Sequence, residues 1–325
     1  MKKWKLAGFL FLTAALLGGC SGKSDKPISK TTTLFDTVVT IKIYDEDAGD
    51  TLNAAINKCQ EYDNRLSRTK EGSEIYQLNN AGGQAVQLSP DTVNLINKGL
   101  EYCDLSEGLF DITTAPLSDL WDFKNNPGTV PDEYAISEAL SHVNYHTVQV
   151  NDNVVQLLDP QAGIDLGGIA KGYIADQIKA FLKDEGVRHA IIDLGGNVLT
   201  IGGKPDGTSF NIGIQKPFAE LGVPITSVKL KDRSIVSSGV YQRYFKVDDK
   251  IYHHILNTST GYPYDNNLLG VTVVCASSTE ADALSTTCFA MGLNRGMEFI
   301  NIRPDVEAVF ITSDYKMHYS SGFKR

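Results

Sequence analysis

Residues 165–172 combine glycines with a lysine in the way that anion-binding turns do. The segment reads Asp165-Leu-Gly-Gly-Ile-Ala-Lys171-Gly and runs into an amphipathic helix pattern that ends at Gly186. Glycines let backbone N–H groups approach an anion, a helix N-terminus adds a partial positive charge, and Lys171 supplies a full one. No Ser or Thr follows the lysine, so this is not the Walker loop. A tight turn between a strand and a helix is the alternative.

A second pattern places two oxygen ligands on one face of a helix predicted at residues 279–292. Asp282 and Thr286 are four positions apart, so their side chains project from the same face. A carboxylate and a hydroxyl suit Mg²⁺, which takes its other ligands from water and from substrate phosphates. Thr279 and Asp282 also fit a capping box, in which Asp282 would only bond to the start of the helix. The spacing leaves both interpretations open.

Two adjacent histidines, His253 and His254, are predicted on a strand, where neighbouring side chains point to opposite faces. At most one of them can face a given site. His254 is the better candidate because apolar Ile255 and Leu256 follow it. A partly buried histidine can act as a base or hold a phosphate, whereas an ordinary structural histidine does neither.

Three further segments place polar groups in unusual surroundings. Asp111 lies between large apolar residues and needs partners if it is buried. Residues 193–197, Asp-Leu-Gly-Gly-Asn, form a second glycine turn after a strand pattern. Residues 237–244 bring two serines, two tyrosines and Arg243 together. Each segment by itself is as compatible with a turn as with a site.

The elements that position these residues are predicted as many strands and a few helices, without a regular alternation of the two. Helical spacing is found at residues 52–66, from Ser89-Pro90 onward, after the glycine turn and at residues 279–292. A hairpin is predicted at residues 147–158, with its turn at 151–153. Strands are expected at residues 34–44 and around Ile191, Val198, Ile212, Val228, Val236, Phe245 and Val273. This distribution favours an α+β fold with mixed or antiparallel sheets over a doubly wound parallel sheet.

The N-terminus is typical of an exported lipoprotein. Three lysines occur in the first five residues, and an apolar stretch at 6–17, too short to cross a bilayer comfortably, follows. Leu17-Gly-Gly-Cys20 resembles the lipobox of bacterial lipoproteins, which implies cleavage before Cys20 and acylation of its sulfur. An ordinary signal peptide with an incidental cysteine is the alternative. We therefore expect a lipid-anchored protein on the extracytoplasmic side of the cell membrane.

This interpretation divides the chain into three parts. Residues 1–19 are the lipoprotein signal peptide, residues 20–33 a flexible tether rich in Ser, Lys and Thr, and residues 34–325 the globular body. The signal carries three lysines and no acidic residue, so its removal changes the formal net charge from −9 to −12. Such an acidic surface argues against nucleic acid as a partner.

The four cysteines of the body lack the short paired spacing of metal or redox motifs. We predict buried free thiols, although disulfides remain possible in an exported protein. These residues are Cys59, Cys103, Cys275 and Cys288.

Five motifs taken together resemble the flavin transferases of the ApbE type. They are Asp-Leu-Gly-Gly-Ile-Ala-Lys-Gly at 165–172, Phe-Asp-Ile-Thr at 110–113, Asp-Leu-Gly-Gly-Asn at 193–197, His-Ile-Leu-Asn at 254–257 with Thr-Gly-Tyr-Pro following, and Thr-Glu-Ala-Asp-Ala-Leu at 279–284. They occur in the family order and span the body from Leu34 to the C-terminus. Many members of the family are exported lipoproteins, in agreement with the lipobox.

The resemblance implies an ApbE-like (T-fold-like) architecture and the activity of an FAD:protein FMN transferase. Such enzymes bind FAD with Mg²⁺, move the FMN half onto a Ser or Thr hydroxyl of another exported or membrane-associated protein, and release AMP. A metal-dependent FAD pyrophosphatase, with water as the attacking group, would use the same residues. A flavin-binding lipoprotein that delivers the cofactor without reacting is the alternative from a different class.

The resemblance also implies roles for single residues. His254 matches the family's proposed catalytic histidine, which acts on the attacking hydroxyl, and the Gly168 carbonyl with Asp282 and Thr286 matches the metal site. Asp165 is expected to orient the glycine turn, and Tyr76 to form a stacking wall for the flavin. The residues matched to flavin-nucleotide binding are Phe35, Tyr76, Leu109, Phe110, Asp111, Asp165, Lys171 and Leu256.

Two positions depart from the family pattern. Phe35-Asp36-Thr37 replaces Met-Gly-Thr, which would place a ring instead of a thioether against the flavin and stiffen the loop. Asn257-Thr258 replaces Asp-Pro and affects only the local turn.

Overall fold

The structure, a computed structural model, describes residues 26–126 and 128–323. Within this part the chain forms seven α-helices, one short 3-10 helix at Tyr145–Thr147 and fifteen strands. The helices are α1 (Gly49–Leu66), α2 (Glu74–Asn79), α3 (Pro90–Leu105), α4 (Ala115–Trp121), α5 (Glu133–Ser141), α6 (Ala170–Asp184) and α7 (Ser278–Asn301). The helices predicted from spacing are confirmed, and α7 extends beyond its predicted end, across a kink at Gly292.

The strands follow the order of the sequence with few helices between them. They are β1 (Ile28–Leu34), β2 (Thr37–Ile43), β3 (Val86–Gln87), β4 (Val148–Asn151), β5 (Val154–Leu157), β6 (Ala190–Leu194), β7 (Asn197–Ile201), β8 (Phe210–Gln215), β9 (Pro224–Leu230), β10 (Ser234–Gly239), β11 (Tyr244–Val247), β12 (Lys250–His253), β13 (Leu268–Cys275), β14 (Glu307–Thr312) and β15 (Met317–Tyr319). The predicted hairpin at residues 147–158 is β4 and β5 with their connecting turn.

One large sheet dominates the fold. Its eight strands lie in the order β1-β2-β6-β7-β10-β13-β14-β15, and every neighbouring pair is antiparallel. Smaller sheets are formed by β3-β5-β4, by β8-β9 and by β11-β12. The prediction of an α+β fold with antiparallel sheets is therefore confirmed. All eight residues of β13 are buried because the strand is covered on both faces, which explains its nearly continuous apolar sequence.

The predicted tether is wrong from Ile28 onward, because β1 begins there. This strand pairs with β2 from Ile28 opposite Ile43 to Leu34 opposite Thr37. Its polar residues suggested a tether, but its three successive threonines are β-branched and favour extended backbone. As the edge strand of the sheet, β1 keeps most of these side chains exposed. The predicted signal peptide, Cys20 and the rest of residues 1–25 lie outside the described residues.

Two apolar cores fill the space between the helices and the large sheet. The first lies among α1, α3, α6 and the strands β2, β6 and β7, and the second among α7 and the strands β10, β13 and β14. Cys59 and Cys103 belong to the first core, and Cys275 and Cys288 to the second. All four are buried free thiols, as predicted, and burial raises the pKa of the Cys59 thiol to about 12. Among the helices of the described part, none is both long and apolar enough to cross a membrane.

Helices α6 and α7 touch where α6 carries a glycine. A Cβ atom on Gly172 would lie 2.2 Å from the carbonyl oxygen of Ser278 and 2.7 Å from Cβ of Asp282. Real side chains do not approach so closely, so the crossing requires glycine at this position. The backbone N–H of Gly172 donates a hydrogen bond of 2.8 Å to Oδ2 of Asp282 across the contact.

One turn further along α6, Asp176 holds the start of α7. Its Oδ1 accepts from the N–H of Ser278 at 2.9 Å, and its Oδ2 accepts from the N–H of Thr279 at 2.9 Å. The hydroxyls of Ser277 and Thr279 donate to Oδ2 as well, at 2.8 and 2.7 Å. The first N–H groups of a helix have no partner within the helix, and a carboxylate is favourable at that end. A side chain of α6 therefore completes the N-terminus of α7.

Replacing Gly172 by Ala should destabilise the protein, because the new methyl group meets backbone rather than a movable side chain. We expect the free energy of unfolding to fall by about 1–3 kcal/mol in urea denaturation. Gly49→Ala is the matched control, since nothing lies within 4 Å of a Cβ at that helical position. It should change stability by less than about 0.5 kcal/mol. Equal stability of the two variants would contradict the role assigned to Gly172.

Candidate functional site

A cavity of about 2160 Å³ opens beside the α6–α7 contact. Its walls come from the β1–β2 turn, the N-terminus of α6, one face of α7, the β8–β9 hairpin and the segment that follows β12. The size exceeds the roughly 300–1,000 Å³ that is usual for a small-molecule pocket. The cavity brings together the following predicted site residues: Phe35, Leu109, Phe110, Asp111, Asp165, Gly168, Lys171, His254, Leu256, Asp282 and Thr286.

The glycine turn before α6 is held by Asp165. Oδ1 of Asp165 accepts from the N–H of Gly167 at 2.8 Å, and Oδ2 lies 3.3 Å from Nε of Arg68. Lys171, in the first turn of α6, donates from Nζ to the Gly167 carbonyl at 3.1 Å while lining the cavity. Asp165 thus connects the backbone of the turn with Arg68. The turn presents a helix N-terminus and an ammonium group to the same space.

The position of Asp282 rules out the capping box. The N-cap of α7 is Ser277, whose side chain accepts from the N–H of Glu280. Asp282 is buried, with 3% of its surface exposed, and bonds instead to Gly172 on α6. Only Oδ2 takes part in that bond, and Asp282 also lines the cavity.

Thr286 and Gly168 lie next to each other across the cavity wall. A Cβ atom on Gly168 would be 3.5 Å from Oγ1 of Thr286 and 2.8 Å from Cε2 of Phe110. The glycine turn can approach α7 and the Phe110 ring this closely because Gly168 has no side chain. Oγ1 of Thr286 also lies 2.9 Å from Oγ of Ser238 on β10.

The oxygen donors at this place fit a hard cation. A carboxylate, a hydroxyl and a backbone carbonyl are the ligand types that Mg²⁺ accepts, and it usually keeps several waters or substrate oxygens besides. Across residues 26–126 and 128–323, no group of three or more His, Cys, Asp or Glu side chains is arranged to hold a metal ion. The set formed by Gly168, Asp282 and Thr286 contains only one such side chain.

The two histidines have different surroundings, although β12 ends at His253 and His254 lies just beyond this strand, on which both were predicted. His253 is buried, and its Nε2 lies 2.9 Å from the carbonyl of Tyr264 while its Nδ1 accepts from the N–H of Ile255. His254 lines the cavity, and its Nδ1 lies 3.3 Å from the carbonyl of Arg243. A carbonyl only accepts, so Nδ1 of His254 carries the hydrogen and Nε2 keeps a lone pair.

Electrostatics keeps the His254 imidazole neutral. Desolvation lowers its pKa to about 3, and the nearby charges of Arg243 and Lys171 act in the same direction. Both cations line the cavity. Because a bound anion would offset them, a negatively charged ligand would raise the pKa of His254 again.

The segment from Leu109 to Asp111 forms another part of the wall. Asp111 is buried and has the partners it needs: Oδ1 accepts from the N–H and hydroxyl of Thr113 at 2.7 and 2.6 Å, and Oδ2 from the N–H of Tyr145 at 3.1 Å. Burial nevertheless raises its pKa. The carbonyl of Leu109 accepts from the hydroxyl of Tyr264, which joins this wall to the segment carrying His254 and Leu256. Asp111 therefore holds the loop in place.

The β1–β2 turn contains the residues that depart from the family pattern. Phe35 and Asp36 both have a φ of 55°, as a two-residue type I′ hairpin turn requires. Neither is glycine, and a left-handed conformation costs about 1–2 kcal/mol for such residues. Asp63 compensates by accepting from the N–H of Phe35 at 2.8 Å, and Lys124 pairs with Asp36 at 2.6 Å. Phe35 thereby stands at the cavity as expected.

Tyr76 requires a correction, because it is not among the described residues that line the cavity. It belongs to α2, where Ile75 and Leu78 are buried and direct the helix toward the core. The loop before α2 reaches the cavity instead, through Ser67, Arg68, Thr69 and Lys70. Helical spacing shows which side of α2 is buried, but not which neighbouring loop reaches a distant site.

Sequence reasoning also missed Arg68 and gave no role to Ser238. Arg68 contacts Asp119 on α4 and Asp165 in the glycine turn, and so connects two segments far apart in the chain. No local motif surrounds it that would have marked it. Arg243 and Ser238 belong to the polar segment at residues 237–244, but only packing shows that they face His254 and Thr286.

Comparison with known proteins agrees with this geometry. Residues 35–310 match the model of the ApbE family. An FAD:protein FMN transferase of Klebsiella pneumoniae is 32% identical over 291 residues, which cover 89% of this chain and 90% of the relative. One of Treponema pallidum is 29% identical over 340 residues, covering 98% and 94%.

Solved structures show the same fold. The crystal structure of the ApbE protein of Thermotoga maritima superposes with a TM-score of 0.84 at 29% identity, covering 91% of this chain and 97% of that one. The flavin transferase ApbE of Vibrio cholerae has a TM-score of 0.80 at 24% identity and covers 92% and 98%. Since the family match extends over most of the body that builds the cavity, the chain belongs to the ApbE family.

Proposed function

We propose that this protein is a Mg²⁺-dependent FAD:protein FMN transferase that attaches FMN to a Ser or Thr hydroxyl of an exported acceptor protein and releases AMP. One observation carries the proposal: a single cavity holds an anion-binding turn with Lys171, an oxygen site at Asp282 and Thr286, and a neutral histidine with a free lone pair. The curated relatives named FAD:protein FMN transferase support the same reaction.

Different residues of the cavity have different roles in the proposed transfer. The acceptor oxygen forms a new bond to the phosphorus of the FMN half, and the bond from that phosphorus to the bridging oxygen breaks, so that AMP leaves with the electron pair. Nε2 of His254 takes the proton of the attacking hydroxyl, while the Arg243 carbonyl holds Nδ1. Lys171 and Arg243 offset the negative charge of the diphosphate and of the departing AMP.

The cation site would complete this arrangement. The Gly168 carbonyl, one oxygen of Asp282 and the hydroxyl of Thr286 would hold Mg²⁺, which neutralises phosphate charge when bound. Gly172 fixes the carboxylate by its hydrogen bond, so Asp282 is oriented before any ligand arrives.

The size of the cavity is consistent with a protein as second substrate. It is larger than a nucleotide pocket needs to be, which leaves room for a chain segment to bring its hydroxyl to His254. The deciding experiment is to incubate the protein with FAD, Mg²⁺ and a candidate exported partner and to analyse the products by mass spectrometry. FMN attached to the partner supports the transferase, whereas free FMN and AMP alone would identify an FAD pyrophosphatase.

We further propose that the protein is anchored through acylated Cys20 and works at the outer face of the cell membrane. The lipobox-like sequence ending at Cys20 supports this proposal. Because β1 begins at Ile28, only a short stretch of chain separates Cys20 from the folded body, which would keep the body close to the membrane surface.

Asp282→Asn should abolish the metal-dependent reaction and leave the fold intact. The amide oxygen can still accept from Gly172, but the negative charge that binds the cation is lost. We expect FAD turnover to fall more than about 100-fold, as expected when metal stabilisation worth several kcal/mol is removed. Glu280→Gln, on the same helix and away from the cavity, is the control and should retain activity. Full activity of Asp282→Asn would refute the cation site.

His254→Gln should slow FMN transfer by about 100-fold or more, since a general base contributes 10²–10⁴-fold. FAD binding, followed by flavin fluorescence, should be retained. The pKa of His254 is lowered from 6.5 to about 3, so the imidazole of the free enzyme is already deprotonated at pH 5. As the pH is lowered, kcat/KM of the wild type should therefore not decline with a midpoint near pH 6.5. Such a decline, absent from His254→Gln, would contradict a neutral His254.

Cys20→Ser in the full chain should release the protein from the membrane fraction of a bacterial host, because the acyl acceptor is gone. Ser21→Ala is the control and should remain in the membrane fraction, as judged by immunoblotting. An unchanged distribution of Cys20→Ser would show that the anchor is not at this residue.

A further inference from the structure

Three hydroxyl groups form a chain of hydrogen bonds beside the proposed cation site. Oγ of Ser238, on β10, lies 2.7 Å from Oγ of Ser285 and 2.9 Å from Oγ1 of Thr286, both on α7. Ser285 continues the chain by donating to the carbonyl oxygen of Asp282 at 2.9 Å. Ser285 is fully buried. The chain therefore links the two side-chain ligands of the proposed site through a strand of the central sheet.

The direction of this chain follows from the number of hydrogens. A carbonyl oxygen only accepts, so the single hydroxyl hydrogen of Ser285 points to Asp282. Ser285 must then accept from Ser238, which uses the one hydrogen of Ser238. Ser238 in turn must accept from Thr286. Each of the three hydroxyl groups then donates its one hydrogen once, and no other arrangement of the hydrogens satisfies all three contacts.

The same arrangement excludes an alternative hydrogen bond of the Thr286 hydroxyl within its own helix. A threonine within a helix often bonds back to the carbonyl four residues earlier, which here is Asp282. That carbonyl already accepts the helical N–H of Thr286 and the hydroxyl of Ser285, so both of its lone pairs are in use. Ser238 is consequently the acceptor available to the Thr286 hydroxyl.

We infer that Ser238 is a positioning residue for the cation: it takes the hydrogen of Thr286 and leaves the lone pairs of Oγ1 to a hard cation such as Mg²⁺. The inference rests on the proposed function, because it assumes that Thr286 is a ligand. Ser285 sets the direction of the chain. A hydroxyl that donated into the cavity instead would place a hydrogen where the cation needs an oxygen lone pair.

The test is the affinity for Mn²⁺, a probe that prefers the same oxygen ligands as Mg²⁺. Mn²⁺ is titrated into the protein with FAD and without acceptor, and free Mn²⁺ is followed by electron paramagnetic resonance. Ser238→Ala should weaken Mn²⁺ binding by about 10–100-fold, as loss of a group that orients a ligand does. Ser237→Ala is the matched control: its hydroxyl bonds to Thr272 at 2.8 Å, and its Mn²⁺ affinity should equal that of the wild type.

A second variant covers the case that Ser238→Ala does not fold. Ser285→Ala leaves β10 unchanged and frees the Asp282 carbonyl, so Thr286 can turn toward it, and Mn²⁺ binding should weaken. Wild-type affinity in folded Ser238→Ala, or in Ser285→Ala if the first variant is unfolded, would overturn the inference. Absence of Mn²⁺ binding by the wild type would instead overturn the cation site itself, so the two failures are distinguishable.

Discussion

The close approach of α6 and α7 at Gly172 is the contact on which the site depends. The missing side chain allows the backbone of α6 to bond to Asp282, and Asp176 of α6 accepts hydrogen bonds from the first residues of α7. As a result, the glycine turn at the start of α6 faces the oxygen atoms of α7. The proposed phosphate-binding turn and the proposed cation ligands would otherwise belong to separate surfaces, since Gly172 and Asp282 are 110 residues apart in the chain.

Two cations lie near His254 in a protein that is acidic overall. The chain is acidic overall, with a formal net charge of −9, yet Lys171 and Arg243 lie beside His254. The desolvation of the ring and these cations keep the imidazole neutral. In the proposed reaction, the diphosphate of FAD would offset the charge of these cations and raise the pKa of His254, which would make the ring a stronger base.

The β1–β2 turn at the cavity contains two residues with strained backbone. Phe35 and Asp36 adopt a left-handed conformation without being glycine, and hydrogen bonds from neighbouring segments hold them there. Thr37 packs so closely on Gly195 that a Cβ atom there would lie 2.2 Å from its hydroxyl. The two turns thus fix each other at the cavity rim. Strain of this kind persists only where surrounding contacts determine the conformation.

Periodicity within short segments is sufficient to predict the α+β class, the helices α1, α3 and α6, the hairpin of β4 and β5, and the spacing of Asp282 and Thr286. Sequence reasoning misjudged β1, whose polar threonines stay exposed at a sheet edge, and Tyr76, whose helix faces the core. Tertiary structure alone decided that Asp282 bonds to Gly172 instead of capping its own helix, and that Ser238 meets Thr286. Those distances join residues far apart in the chain, and packing sets them.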